Sequence, residues 1–328
     1  MTESAHELLR DVSRSFYLSI RALPRALREP VALAYLLART SDTIADTTGM
    51  AVTERIALLD QFAAAINGGV VADLQKELLQ AQRDSSPGMT SGERTLLGAA
   101  DVFLRELAEM AANDRAEIRA LLGIITRGQR LDLTRWSDGL GALANAEELR
   151  EYTYMVAGCV GEFWTRLCYR KVSGFTARDE VEMMELARKY GCGLQLVNIL
   201  RDAGDDLRAG RCYFPEDELR AAGVSPAQLR GDAPAEFLPV YRRWINEARA
   251  GLDAGLEYCI AINPPRVRIA TVLPVLIGVR TLEMLEEHGV TALRERVKVS
   301  RAEVRKITAS AAITLANRTR LRSARARL

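Results

Sequence analysis

Proline sets the first limit on how this chain can fold. The ten prolines are confined to the two ends of the chain, and residues 88–214 contain none. Proline removes a backbone donor and collides with the preceding helical turn, so a proline-free run of this length permits several long, uninterrupted helices. Apolar residues recur at helical spacing, and stretches alternating β-branched with polar residues are nearly absent. The spacing predicts helices over roughly 29–48, 51–67, 93–113, 115–136, 145–170, 178–208, 235–261, 266–287 and 301–326. Breaks are expected at RDSSPGMTSGE (83–93), AAGVSPAQLRGDAPAEF (221–237) and Asn263-Pro264-Pro265. The first has the composition of a short loop rather than a domain linker, and no internal repeat is visible. Residues 1–328 are therefore expected to form a single all-α domain, a helical bundle with a central cavity, closed by a basic C-terminal helix at 301–328.

Composition then narrows the chemistry. The chain has 328 residues, 48% of them hydrophobic, enough for a large core. It has two histidines, His6 and His288. That scarcity argues against a Ser-His-Asp or Cys-His nucleophile and against a His-rich zinc site. Carboxylates, cations, hydroxyls or a bound metal must run any reaction. The five cysteines (Cys159, Cys168, Cys192, Cys212, Cys259) are odd in number, form no CxxC pair and read as small core residues in a reducing compartment.

The N-terminal MTESAHELLRDVSR lacks the basic-then-apolar order of a signal peptide. The longest apolar stretch, Ile269–Val279, has 11 residues and contains Pro274, against roughly 20 needed to span a bilayer. A cytoplasmic protein is expected. The net charge of +2 conceals an uneven distribution. Lys298, Arg301, Arg305, Lys306, Arg318, Arg320, Arg322, Arg325 and Arg327 face one acid, Glu303, so the C-terminal end carries +8 and residues 1–297 carry −6. Such an end suits peripheral contact with an anionic membrane on its inner face, a solvated terminal helix being the alternative. No nucleic-acid partner is expected.

Two acidic segments stand out. In AYLLARTSDTIADT, residues Tyr35, Arg39, Asp42 and Asp46 are spaced by four, three and four and share one helical face. Two carboxylates one turn apart repel unless a cation neutralises them, and no Lys or Arg follows either acid within four residues. A hard dication such as Mg2+ meets that need with carboxylate and phosphate oxygens. A solvated acidic face would look the same in this segment alone.

The second segment, GCGLQLVNILRDAGDDLRAGRCYFP, repeats the pattern with Gln195, Asn198, Asp202 and Asp206 on one face. Polar amides at core-like positions are costly without partners. Arg201 and Arg211 flank the acids and suit paired contacts to phosphate, and Asp205 adds charge. Two such helices together point to a metal–diphosphate site. A third segment, EYTYMVAGCVGEFW, places Ala157, Gly158, Cys159 and Gly161 in mid-helix, which permits close approach by a helix or by a long apolar ligand. Tyr152 lies one to two turns upstream and can aim a hydroxyl into the same space. Metal-assisted loss of an allylic diphosphate leaves a carbocation, which needs a dry apolar cavity with aromatic or dipolar groups.

VSRSFYLSI (12–20), YLLARTSDTIADT (35–47), EYTYMVAGCVG (151–161) and QLVNILRDAGDDLRAGRCYFP (195–215), in this order and spacing, resemble the squalene/phytoene synthase family of head-to-head prenyl transferases over most of the chain. The resemblance implies an all-α isoprenoid-synthase fold with the two acidic motifs facing each other across a central cavity. By the same resemblance, Asp42, Asp46, Asp202 and Asp206 hold Mg2+. Ser13, Arg14, Ser15, Tyr35, Arg39, Arg201 and Arg211 contact diphosphate, Gln195 and Asn198 complete the polar wall, and Phe16 borders the apolar channel. Tyr152 matches the family's motif tyrosine, which assists ionisation or proton removal, with a structural hydrogen bond as the alternative.

The implied substrate is farnesyl diphosphate, condensed through presqualene diphosphate. VSRSF and the segment RVKVSRAEV (296–304) resemble the squalene branch, in which Lys298 and Arg301 would meet the NADPH phosphate. Against that branch, the first motif ends in Asp46-Thr47 rather than a run of acids, and no Gly-rich dinucleotide fingerprint appears. Dehydrosqualene, phytoene or presqualene diphosphate are the alternative products. A non-catalytic prenyl-diphosphate-binding or assembly protein of the same fold is the alternative of a different class, and the presence of all four aspartates argues against it.

Overall fold

Leu27, Val31, Leu36, Leu37 and Ile44 are buried round most of the circumference of a helix that keeps Tyr35, Arg39 and Asp42 on a narrower, half-buried stripe. That helix, α1 (Arg25–Ala45), is the centre of the first half of the protein. The computed structural model describes residues 8–9, 20, 23–47, 49–84, 89–136 and 139–314, with side-chain surroundings through 309. Ser13, Arg14, Ser15 and Phe16, together with His6 and the basic residues from Arg318 to Arg327, lie outside the described residues. Contacts group the chain into two compact units, residues 1–137 and 138–328.

In the first unit, α1 is followed by α2 (Val52–Ile66), α3 (Leu74–Asp84), α4 (Ser91–Gly98), α5 (Ala100–Glu109) and α6 (Ala112–Arg135). Helix α1 packs on α2, α4, α5 and α6. Buried hydroxyls along α1 are satisfied by its own preceding turn: Thr40 donates to the Leu36 carbonyl at 2.8 Å and Thr43 to that of Arg39 at 2.9 Å. Two differences from the periodicity emerge. Helix α3 was not expected; its short apolar stripe of Leu74, Leu78 and Ala81 is buried although most of its residues are polar. The helix expected over 93–113 divides at Ala99, whose N–H is shared between the carbonyls of Thr95 and Leu96.

In the second unit, β1 (Gly141–Leu143) leads into α7 (Ala146–Thr153), one π-helical turn (Tyr154–Gly158) and α8 (Cys159–Lys171). The 29-residue α9 (Glu180–Arg208) follows, then β2 (Arg211–Pro215), α10 (Glu216–Ala221) and α11 (Pro226–Leu229). Three further helices, α12 (Leu238–Ala261), α13 (Pro265–His288) and α14 (Arg301–Thr314), complete the unit. Helix α9 packs on α8, α12, α13 and the π turn. Trp244, Tyr241 and Tyr258 of α12 are fully buried in this core. Strands β1 and β2 pair in parallel, a contact between segments some 70 residues apart that no local periodicity announces. Gly210, with φ +89°, turns the chain out of α9 into β2, a conformation that favours glycine, and so brings Arg211 back beside the end of α9.

All five cysteines are unpaired, and four are buried. Burial pushes the Cys159 and Cys212 thiols up to about 12, consistent with packing rather than reactivity. Among the described residues no helix is long and apolar enough to cross a membrane.

Candidate active site

The first acidic motif falls on α1 as its spacing predicts. Arg39 donates to Glu93 of α4 at 3.1 Å, and its Nη1 stands 3.8 Å from Oδ2 of Asp42. Gln129 of α6 donates to Oδ1 of the same carboxylate at 2.5 Å. The Asp42 side chain keeps 43% of its surface accessible. Desolvation pushes its titration up to about 6; Arg39 opposes the shift, Asp46 reinforces it and the Gln129 bond opposes it. Tyr35 is half-buried one turn before Arg39, and burial raises its hydroxyl. Asp46 is exposed at the C-terminal cap of α1.

The second motif lies on α9. Arg201 donates to both oxygens of Asp202, at 2.8 and 2.5 Å, and Arg211 of β2 places two nitrogens on Oδ1 of Asp206, at 3.1 and 2.7 Å. Desolvation raises the Asp206 carboxyl, Arg211 pulls it down, and Asp202 and Asp205 push it up again. Asp205 itself points away to Arg208. Gln195 and Asn198 make one long mutual contact of 3.4 Å. Val197 and Leu200 are buried on the other side, as the face assignment requires, while Leu194 is half-buried.

Tyr152 is buried at the end of α7. Its ring stacks on Tyr213 of β2 with centroids 5.0 Å apart, and the two hydroxyls are 3.3 Å apart. The small residues after it serve helix packing: a Cβ on Gly161 would lie 2.7 Å from the carbonyl carbon of Ala187, and one on Gly191 2.8 Å from that of Ala157. Lys298 and Arg301 are exposed beside the N-terminus of α14, where Ser300 and Glu303 form a reciprocal cap.

The donor set fits Mg2+. Each motif presents hard carboxylate oxygens in a pair one turn apart. Among the described residues no group of three or more His, Cys, Asp or Glu converges to enclose an ion. Two carboxylates leave coordination positions for water and phosphate oxygens, the manner in which Mg2+ is held in phosphate chemistry. Lys298 and Arg301 offer cationic groups of the kind a cofactor phosphate requires, without a glycine-rich cradle.

Three neighbours of the predicted residues escaped sequence reasoning: Glu93 beside Arg39, Gln129 beside Asp42 and Tyr213 beside Tyr152. Gln129 carried a usable signal, because it follows Ile125 by four on the buried face of α6, where a polar side chain implies a partner. Glu93 begins with the Thr90 capping box, and Tyr213 depends on the strand pairing.

Residues 9–303 match the family model described as squalene/phytoene synthase. Phytoene synthase 3, chloroplastic, of Zea mays is 27% identical over 258 residues, 78% of this chain and 53% of that protein. The squalene synthase of Schizosaccharomyces pombe is 26% identical over 214 residues, 65% of this chain and 44% of that protein. The chain thus spans about half the length of the curated relatives it matches. The solved complex of TcSQS with a ligand aligns with a TM-score of 0.75 at 21% identity, covering 97% of this chain and 90% of that one, a likeness of all-α isoprenoid-synthase fold.

Proposed function

Since the chain belongs to the squalene/phytoene synthase family, we propose that it is an Mg2+-dependent prenyltransferase that joins two molecules of farnesyl diphosphate head to head, forms presqualene diphosphate and reduces it to squalene with NADPH. The observation that carries this reading is the pairing of acid and arginine in both motifs: Arg39 beside Asp42, Arg201 on Asp202 and Arg211 on Asp206. The family match runs through both units, and residues 1–328 are read as one functional domain.

Asp42, Asp46, Asp202 and Asp206 would hold Mg2+, which supplies charge neutralisation of the diphosphate leaving group. Arg39, Arg201 and Arg211, with Tyr35 and with Ser13, Arg14 and Ser15 beyond the described residues, bind diphosphate oxygens. A guanidinium matches phosphate geometry as well as it matches the carboxylates these arginines hold here. Gln195 and Asn198 orient the same group, and Phe16 borders the prenyl chain. The donor's C–O bond breaks with both electrons leaving on oxygen, and the acceptor's double bond attacks the allylic cation. Loss of a proton then closes the cyclopropane of presqualene diphosphate. Tyr152, whose hydroxyl stands 3.3 Å from that of Tyr213, assists ionisation or takes up that proton. A second ionisation and rearrangement would yield a cation; Lys298 and Arg301 would hold the phosphate of NADPH, which would supply the quenching hydride. The exposed cations Lys298, Arg301, Arg305 and Lys306 support peripheral attachment to an anionic membrane.

A second reading has a specific observation behind it: the Zea mays relative is a phytoene synthase. In that reading the final cation loses a proton, and no reductant is used. Products extracted after incubation with farnesyl diphosphate and Mg2+, with and without NADPH, decide between the two. Squalene formed only with NADPH is expected; dehydrosqualene or presqualene diphosphate as sole product despite NADPH overturns the squalene assignment, as does turnover confined to geranylgeranyl diphosphate supplied in a parallel incubation, two C20 units of which give the C40 phytoene. No release of diphosphate at all would leave the protein a prenyl-diphosphate binder.

A further inference from the structure

Gln129 occupies a position that pattern alone assigns to an apolar residue. The buried face of α6 runs through Ile118, Leu121, Leu122 and Ile125, and Gln129 continues it with only 8% of its surface exposed. Its Nε2 donates to Oδ1 of Asp42 at 2.5 Å, while its Oε1 is buried and has no hydrogen-bond partner among the described residues. An unpaired buried acceptor is unfavourable, and a glutamine placed only to steady α6 against α1 gains nothing from it. On the Asp42 carboxylate, Oδ1 is fixed by this bond. Oδ2 has a looser neighbour, Arg39 at 3.8 Å, and Arg39 is also engaged with Glu93.

We infer that Gln129 is a positioning residue of the cation site on α1: its Nε2 donor locks the rotamer of Asp42 and leaves Oδ2 to meet the cation. The inference rests on the proposed role of Asp42 as a metal ligand. Loss of a partner that orients a metal ligand typically costs roughly 10- to 100-fold in metal affinity.

Mn2+ binding, followed by the electron paramagnetic resonance of the unbound ion in the presence of inorganic diphosphate, tests this without turnover. The full-length protein carries Asp202→Asn and Asp206→Asn so that the α1 site alone reports. Gln129→Met is expected to weaken Mn2+ binding roughly 10- to 100-fold, with the melting temperature of the metal-free protein unchanged or higher. In an Asp42→Asn background the same substitution should add nothing. Mn2+ affinity within twofold of the Gln129 protein would overturn the inference, whatever the melting temperature does. Should Gln129→Met not yield folded protein, Gln129→Leu supplies a second apolar side chain of similar size. If Asp42→Asn by itself leaves Mn2+ binding intact, it is the metal assignment that fails. If Asp42→Asn abolishes binding and Gln129→Met does not change it, only the role of Gln129 fails.

Discussion

The approach of the π turn to α9 yields a prediction whose size can be worked from the structure. A methyl group at Gly191 would stand 2.8 Å from the carbonyl carbon of Ala157 and 2.9 Å from Cα of Gly158. Both neighbours are backbone, so no rotamer change relieves the overlap, and the π turn must retreat from α9 by a few tenths of an ångström or more. Overpacking of this kind costs about 1–3 kcal/mol, and its rigidity places this site at the upper end. Alanine returns roughly 1 kcal/mol of helix propensity relative to glycine. Gly191→Ala should therefore destabilise the second unit by a net of about 2 kcal/mol. For a cooperative unit of that size each kcal/mol moves the midpoint by roughly 2–4 °C, so a fall of about 4–8 °C is expected by calorimetry. Gly123 of α6 has nothing within 4 Å of a built Cβ and serves as the control: Gly123→Ala should raise the midpoint of the first unit. A Gly191→Ala protein melting at or above the parent temperature would refute the close-contact reasoning. Each calorimetric transition is assigned before the shift is read.

Asp42 gives a pH dependence with a defined sign. Its folded-state value near 6 lies above its unfolded value near 3.8, so its contribution favours the fold at low pH and is lost as pH rises through 6. Denaturation of Asp42→Asn against the parent should show a difference in favour of the variant that opens between about pH 4 and 6 and is flat above it; a difference independent of pH would refute the desolvated carboxylate. Arg211→Gln removes one charge-assisted grip, about 1.5–3 kcal/mol, and should lower kcat/KM for farnesyl diphosphate roughly 10- to 150-fold. Steady-state kinetics that stay within threefold would exclude Arg211 from substrate binding.

How much of this was legible in the sequence depended on whether the signal was local. The faces of α1 and α9 followed from spacing alone, because residues three and four apart must lie together on a helix. The boundaries of α9, α12 and α13 were visible in the same way, and Asn263-Pro264-Pro265 marked the gap between the last two, whereas the single helix expected over 145–170 is divided by the π turn. Helix α3 was missed since its polar residues outnumber the three it buries. The division at Ala99 has no proline to mark it, and β1 and β2 are too short to show a period. The patch from Ala157 to Gly161 read equally as a ligand wall or a helix contact until the carbonyls of α9 were found against it.

By itself the sequence determined the helical class, the two acid pairs and the scarcity of histidine that turns the chemistry toward carboxylate and arginine. These are properties of composition and of spacing within one helix. Tertiary structure decided the contacts between distant segments. Gln129 reaches Asp42 across 87 positions of sequence, and Tyr213 reaches Tyr152 across 61. Arg211 returns to Asp206 because Gly210 reverses the chain. The ionisation of Asp42 depends on desolvation and on Gln129 from another helix as well as on Arg39 and Asp46 of its own, and the burial and the glutamine lie outside its segment.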